Sequence, residues 1–180
     1  MNKLKGMFDI TADQGYYALI QNAIQTVALA HHIERIDTPI LEASELFHRG
    51  MGDDTDVVSK ETYTFLDRGD RSVTLRPEGT AGVVRSFIEE KRYALPDAVK
   101  KVYYEGPMFR YERPQKGRFR QFHQFGVEIF ALPAPALDAD LCALAYDFMS
   151  TLGLSGHLEI NQLSKSSKPA YTEALKAHLK

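Results

Sequence analysis

Residues 106–130, GPMFRYERPQKGRFRQFHQFGVEIF, leave the chain little choice of local fold. Taken as two strands joined by the loop Arg113 to Arg120, the stretch becomes a hairpin, and because successive strand residues point to opposite faces, parity assigns each side chain a side. On the first strand Met108, Arg110 and Glu112 share a face. On the second, Phe122, Gln124, Gly126, Glu128 and Phe130 share one, and Phe125, Val127 and Ile129 form the apolar opposite side. The apolar side is expected to be core. The other carries a cation, two carboxylates, an amide and an aromatic ring, with Gly126 leaving room between them, which is what a pocket for a zwitterionic or phosphorylated ligand needs. Parity alone leaves a solvated hairpin with a charged tip as the alternative.

Composition does not decide between the two. The net charge is only −2, yet Arg110, Arg113, Lys116, Arg118 and Arg120 crowd into residues 110–120, opposed by Glu112. A positive site in a near-neutral protein suits phosphates better than general adhesion to nucleic acid. At 180 residues, 44% hydrophobic and 26% charged, the chain is expected to form a single domain with its own core, and neither disorder nor a membrane protein is indicated. The single cysteine, Cys142, cannot form an internal disulfide and is expected to be a small buried hydrophobe, which points to a reducing compartment. No apolar run reaches spanning length and MNKLKGMFDI contains no signal-like core, so a cytoplasmic location is expected. The histidines show no metal-ligand spacing, and no zinc site is expected.

Along the chain, Thr11 to Gln14 reads as a capping box for an amphipathic helix over residues 14–32. Ile33 to Leu41 reads as a strand in which Pro39 removes a ladder donor, so it belongs at an edge or a junction. Ala43 to His48 is a short helical turn, and Gly50, Gly52 and Asp53-Asp54 mark a loop. Thr62–Leu66 and Ser72–Leu75, separated by Asp67-Arg68-Gly69-Asp70, predict a second hairpin. It delivers Arg76-Pro77-Glu78-Gly79-Thr80 to the start of a helix over residues 80–92, with Ala81, Val84, Phe87 and Ile88 as its apolar positions. A helix over residues 138–152, capped by Asp138 and ended by Gly153, carries Leu141, Leu144, Ala145, Phe148, Met149 and Leu152 as a core stripe. His157 to Leu163 predicts a strand, Ser164 to Lys168 a polar loop, and Ala170 to Lys180 a last short helix. The fold class expected from these elements is α+β, a largely antiparallel sheet carrying both hairpins and flanked by helices.

Phe109-Arg110-x-Glu112-Arg113, the RPQKGR loop and Arg120-Gln121-Phe122-x-Gln124 resemble motif 2 of the class II aminoacyl-tRNA synthetases, in the form seen in histidyl-tRNA synthetase. The helix followed by the Pro39 strand is similar to motif 1, through which those enzymes dimerise. Thr55-Asp56-Val57-Val58 to Glu61, Tyr63-Thr64-Phe65, and Leu75 to Gly82 resemble the same family. The resemblance implies the class II catalytic-core fold and a ligase that activates histidine with ATP and its accompanying Mg2+, then loads tRNA(His), as a cytoplasmic homodimer. Arg110 would be the catalytic residue, bridging the histidine carboxylate and the α-phosphate. Glu112, Arg118 and Phe122 would bind ATP at the adenine amino group, the distal phosphate and the adenine ring. Glu78, Gly79, Thr80, Gln124 and Glu128 would join Arg110 in holding histidine.

The chain departs from the family at Asn161-Gln162-Leu163-Ser164, where an Asn-Ser-aliphatic-Gly turn is usual. It also carries no motif 3, no RGLDYY-like segment and no anticodon-binding domain, so residues 1–180 are expected to be a partial catalytic domain with motifs 1 and 2. Two other readings remain. One is a non-catalytic histidine-binding paralogue such as the regulatory subunit of ATP phosphoribosyltransferase, which commonly lacks the ATP-contacting residues present here. The other is an RNA-binding hairpin, given the Arg and Phe interleaved along Arg118 to Phe122, although the near-neutral charge opposes it.

Overall fold

A computed structural model of the protein describes residues 2–11, 13–51, 61–94, 100–131, 134–161 and 177. The first helix, α1 (Gln14–Ala30), buries Ala23, Ile24, Val27 and Ala28, one stripe at helical spacing. Its N-cap is Asp13 and no side chain caps it, so the capping box expected from Thr11 and Gln14 does not form. Gln14 is the first helical residue, and a box needs its amide three residues past the cap.

The extended segment that follows splits in two. β1 (Glu34–Arg35) pairs in parallel with β5 (Lys100–Phe109), and β2 (Leu41–Ala43) pairs antiparallel with β4 (Ser72–Leu75). Pro39 lies between them and belongs to neither strand. Ile36 N–H still donates to Tyr103 O, whereas Ile40 O already accepts from Arg76 N–H, so the chain changes sheets at the residue that has no donor to lose. Helix α2 (Ser44–Met51), strand β3 (Tyr63–Leu66), helix α3 (Thr80–Glu89), a 3-10 turn at Arg92–Ala94, β6 (Gln121–Phe130) and helix α4 (Pro135–Thr151) complete the described elements.

The strands form two three-stranded sheets, β1-β5-β6 and β2-β4-β3, and among the described strands only β1 and β5 are paired in parallel. The fold is α+β and largely antiparallel, with the difference that the two hairpins lie in separate sheets. The sheets are laced together where Phe109 N–H donates to Arg76 O (3.0 Å) and Tyr111 N–H to Glu61 O (2.7 Å). The turn between β3 and β4 is stapled by Asp67, whose Oδ1 accepts from Gly69 and Arg71 N–H.

Both faces of the β5–β6 hairpin are packed. On one, Ile24, Val27, Ala28 and Ile33 meet Tyr103 and Leu144, with Phe125, Val127 and Phe148 against them. On the other, Val102, Tyr104 and Met108 meet Val83 of α3, with Ile36, Phe122 and Phe130 alongside. The polar face is therefore core as well: Met108, which shares it with Arg110, is fully buried. Apolar side chains from β5 lie beside polar ones from β6, and α3 covers the strip they make.

Several elements shift from their expected form. Helix α3 buries Ala81, Gly82 and Val83, while Ile88 stands 57% exposed, because the helix is laid down at its N-terminal end. Phe87 holds its expected inward role by stacking on Phe130, centroids 4.0 Å apart. Helix α4 begins at Pro135 behind Ala134, which leaves Asp138 inside the first turn rather than at the cap. Of its stripe only Leu144 is fully buried, and Cys142 is half-buried and free. The helix does end at Gly153, where φ is +71° and Leu154 N–H reaches back to Met149 O. Residues 157–161 are exposed and carry no strand, and two of the apolar side chains expected to anchor one, Leu158 and Ile160, face solvent. Gly52, Asp53-Asp54, Thr55 to Val58, residues 162–168 and, apart from Ala177, the helix expected over Ala170 to Lys180 lie outside the described residues.

A charged clasp fastens α1 to α4. His31 Nδ1 lies 3.0 Å from Asp140 Oδ1 and its Nε2 3.0 Å from Asp147 Oδ2, while Lys101 on β5 also bonds Asp140. The bonds to Asp147 and Asp140 hold the imidazole pKa above its ordinary 6.5. Asp140 is held below its ordinary 3.8, by Lys101 first and then by His31. A base with a raised pKa stabilises fully below its unfolded value and loses that contribution as pH rises through the folded one; the carboxylate does the reverse at the acid end. Melting temperature is therefore expected to peak between 3.8 and 6.5 and to fall as pH climbs beyond the His31 transition. In His31→Gln that alkaline fall should disappear, and a wild-type slope in the variant would place the titration elsewhere.

Candidate active site

The site is built where the β5–β6 hairpin meets the N-terminus of α3. Register aligns Met108 with Phe122, Gly106 with Gln124, Tyr104 with Gly126 and Val102 with Glu128, which sets the polar residues of β6 along one face. Beyond the strand ends, Arg110 N–H pairs with Arg120 O, and the loop closes at a tight turn in which Gln115 and Arg118 exchange backbone bonds around Lys116 and Gly117. Gly117 adopts φ +79°, a conformation glycine reaches without strain.

Arg110 is fixed from two sides. Its Nε donates to Pro77 O at 2.9 Å, and its guanidinium lies 5.2 Å from the Phe122 ring centroid. Glu112 sits between two cations, 3.9 Å from Arg110 Nη1 and 3.4 Å from Arg118 Nη1. Among the described residues the terminal nitrogens of Arg110 have no hydrogen-bond acceptor, so its planar fork is free for an anion. Arg110, Glu112, Arg118 and Phe122 are thus together, and the carboxylate keeps the arginines from drifting apart.

The second half of the site gathers around α3. The Glu78 carboxylate accepts from Thr80 N–H and, at 2.9 Å, from Ala81 N–H, which caps the helix and meets the positive end of its dipole. The expected turn is present, and its glutamate is engaged by the backbone. Thr80 Oγ1 donates to Glu128 Oε1 at 2.7 Å, linking helix to sheet. Burial, reinforced by the nearby Glu78 charge, pushes the Glu128 carboxyl above the usual range against the pull of the Thr80 bond. Between Arg110 and Glu128 on the same face of the hairpin lies Gln124, whose Oε1 is buried with no hydrogen-bond partner among the described residues. A buried acceptor left without a donor costs about 1–3 kcal/mol, which a ligand donor would recover.

Two residues that matter here were not singled out by the sequence reading. Tyr104 fills the space that Gly126 was expected to leave for a ligand: a Cβ on Gly126 would stand 2.3 Å from the Tyr104 hydroxyl, and one on Gly79 would stand 2.2 Å from its ring. The ring is wedged between two glycines on different elements. Burial raises its phenol pKa, against bonding to Thr80 and to the Gly79 backbone. The signal was a tyrosine paired across the strands with a glycine, visible only once register is known. Arg76, 7% exposed, donates through Nε to Pro107 O and through Nη1 to Thr38 O (2.9 Å), and its burial lowers its pKa. It ties the crossing at Thr38 and Pro39 to the hairpin and so sets where Pro77 presents its carbonyl to Arg110. Among the described residues no group of three or more His, Cys, Asp or Glu side chains is placed to hold a metal ion, and no helix is long and apolar enough to cross a membrane.

A family model described as histidyl-tRNA synthetase matches residues 11–164. A histidine–tRNA ligase of Moorella thermoacetica is 51% identical over 179 residues, covering 98% of this chain and 42% of that protein. The solved apo structure of the S. aureus histidyl-tRNA synthetase superposes with a TM-score of 0.73 at 39% identity, over 86% of this chain and 35% of that one. A Bacillus halodurans C structure, described as an ATP phosphoribosyltransferase regulatory subunit/histidyl-tRNA synthetase, gives a TM-score of 0.67 at 22% identity over 86% of this chain and 38% of that one, a likeness of fold alone. The chain thus spans about two-fifths of the length of the curated relative it matches.

Proposed function

The chain belongs to the histidyl-tRNA synthetase family, and from that premise we propose that it supplies the motif 1 and motif 2 half of a site that activates histidine with ATP and passes it to tRNA(His). The observation that carries the reading is the row Arg110, Gln124, Glu128, in which a guanidinium whose terminal nitrogens make no hydrogen bond among the described residues, a buried amide oxygen without a partner among them and a carboxyl with a raised pKa line one face of the hairpin. Such a row offers a fork for a carboxylate, then acceptors for an ammonium and an imidazole. Arg110 would hold the amino-acid carboxylate and the α-phosphate together, which is where positioning and charge stabilisation speed the attack. Phe122 and Glu112 would seat the adenine and Arg118 would reach the distal phosphate. Mg2+ would arrive with ATP and be held largely by its phosphates.

Thr80 and Glu78 need a small rearrangement to take an α-amino group, since both now serve the helix start and Glu128. That exchange is cheap when a ligand ammonium replaces a backbone N–H. As in the family, the remaining contacts would come from motif 3, from an RGLDYY-like segment and from an anticodon-binding domain, none of which lies in residues 1–180. The protein would act in the cytoplasm as a homodimer, formed through α1 and the Pro39 crossing. Support comes from the exposed Tyr16, Leu19 and Ile20 on the helix and Ile40 and Leu41 at the crossing, and light scattering that finds only monomer at high micromolar concentration would count against it.

Pyrophosphate exchange by the full-length gene product, run with each standard amino acid, tests reaction and substrate together. Histidine alone is expected to support exchange, and Gln124→Leu should raise its KM about tenfold or more, the loss of one buried polar contact. Exchange with another amino acid would overturn the substrate, and none at all would overturn the reaction. The non-catalytic paralogue is the second reading. The joint presence of Arg110, Glu112, Arg118 and Phe122, with Arg110 against Phe122 and Glu112 paired with both arginines, weighs against it.

A further inference from the structure

The N-terminal segment, residues 2–9, makes no strand or helix, yet it lies against both legs of the Arg113 to Arg120 loop and is hydrogen-bonded to one of them. Gly6 O accepts Arg120 N–H at 2.8 Å. The Phe8 and Phe119 rings pack with centroids 4.6 Å apart. Gly6 adopts φ +82°, and a Cβ there would stand 2.8 Å from Arg120 Cγ and 3.1 Å from Pro114 Cγ, so both legs of the loop close on the space beside this glycine. From the far side, the Arg120 guanidinium covers the Tyr111 ring at 3.8 Å and its Nε donates to Glu112 O. Tyr111 is itself tied to the second sheet through Glu61 O and the Tyr63 ring. The loop root is thus held between the N-terminal segment and a sheet, and Arg118 projects one residue before Phe119.

We propose that the segment Leu4–Phe8 is a positioning strap for this loop, and that Phe8 and Gly6 set the reach of Arg118 toward the phosphates of the nucleotide without touching the nucleotide themselves. The inference rests on the reading of Arg118 as a phosphate ligand. A loop of polar residues with an exposed tip samples many conformations, and each contact at its root removes some of them before a ligand has to. Adenine recognition would fall to the Glu112 carboxylate and the Phe122 ring, to which the strap makes no hydrogen bond or ring contact among the described residues, its one link being through Arg120 to the Glu112 backbone carbonyl, so strap and base are separable.

The test uses the whole chain with Phe8→Ala, Phe8→Tyr and Gly6→Ala. Two readouts are followed: tryptic cleavage after Lys116 and Arg118 identified by mass spectrometry, and equilibrium binding of ATP against adenosine. Phe8→Ala and Gly6→Ala are expected to speed cleavage at those two bonds and to weaken ATP about three- to tenfold with adenosine unmoved, whereas Phe8→Tyr keeps the ring and behaves as the parent. Unchanged cleavage in both disrupting variants overturns the strap. Faster cleavage with ATP and adenosine weakened equally, or with neither weakened, overturns the positioning role, since the segment would then serve stability alone. If the parent binds neither nucleotide, the ATP assignment fails, and the cleavage readout decides by itself whether the strap orders the loop.

Discussion

Arg110→Ala is expected to abolish measurable ATP binding by the chain, and Lys116→Ala at the loop tip to leave it within a factor of about two; calorimetry on the two variants reads the difference. Each charge-assisted hydrogen bond to a phosphate is worth roughly 1.5–3 kcal/mol, and residues 1–180 taken alone are expected to bind ATP weakly. One lost contact therefore costs about one to two decades and takes the complex below detection. The expectation rests on Arg110 being set by Pro77 O and Phe122 while its terminal nitrogens remain open. Lys116 lies at the two-residue turn. Arg110→Lys separates charge from geometry: an ammonium keeps the sign but not the fork, and intermediate affinity is expected. If Arg110→Ala binds ATP as the parent does, the hairpin is not the nucleotide site.

Gly126→Ala is the second large effect, and it falls on stability first. The added Cβ would overlap the Tyr104 ring and hydroxyl at 2.3 Å, and the ring cannot retreat because Gly79 backs it. Overpacking of this kind costs about 3 kcal/mol and lowers the urea midpoint accordingly. Tyr104→Ala alone should cost a similar amount by opening a cavity. The double variant is expected to be less destabilised than the sum, since the first change makes space for the second. Strict additivity in the double-mutant cycle would mean that the two residues are not in contact. Because Thr80 and Glu128 flank the same ring, the surviving fraction of Gly126→Ala should also bind histidine less well.

What could be read from the sequence and what could not divide along physical lines. Strand parity is fixed by covalent geometry, so placing Gln124, Gly126 and Glu128 on one face needed nothing beyond counting. The contents of the opposite strand needed register, and a reading that began at Gly106 omitted Val102 and Tyr104, the residues that turn the polar face into a core. Pro39 was legible as a break in a ladder; that it is the point of exchange between two sheets depends on Arg76, whose partners lie 31 and 38 residues away. The capping signals failed at Thr11 and Asp138 for a common reason. Packing further along each helix sets where it starts, and the residues that then fall at the N-caps, Asp13 and Ala134, make no side-chain cap bond.

Arg76 and Pro77 are neighbours in the chain with opposite allegiances. The side chain of the first grips Thr38 at the exposed crossing, and the carbonyl of the second holds Arg110. A single peptide unit therefore stands between a surface where a second subunit would press and the guanidinium on which two anions would converge. A displacement at the crossing has one peptide unit to travel before it reaches Arg110.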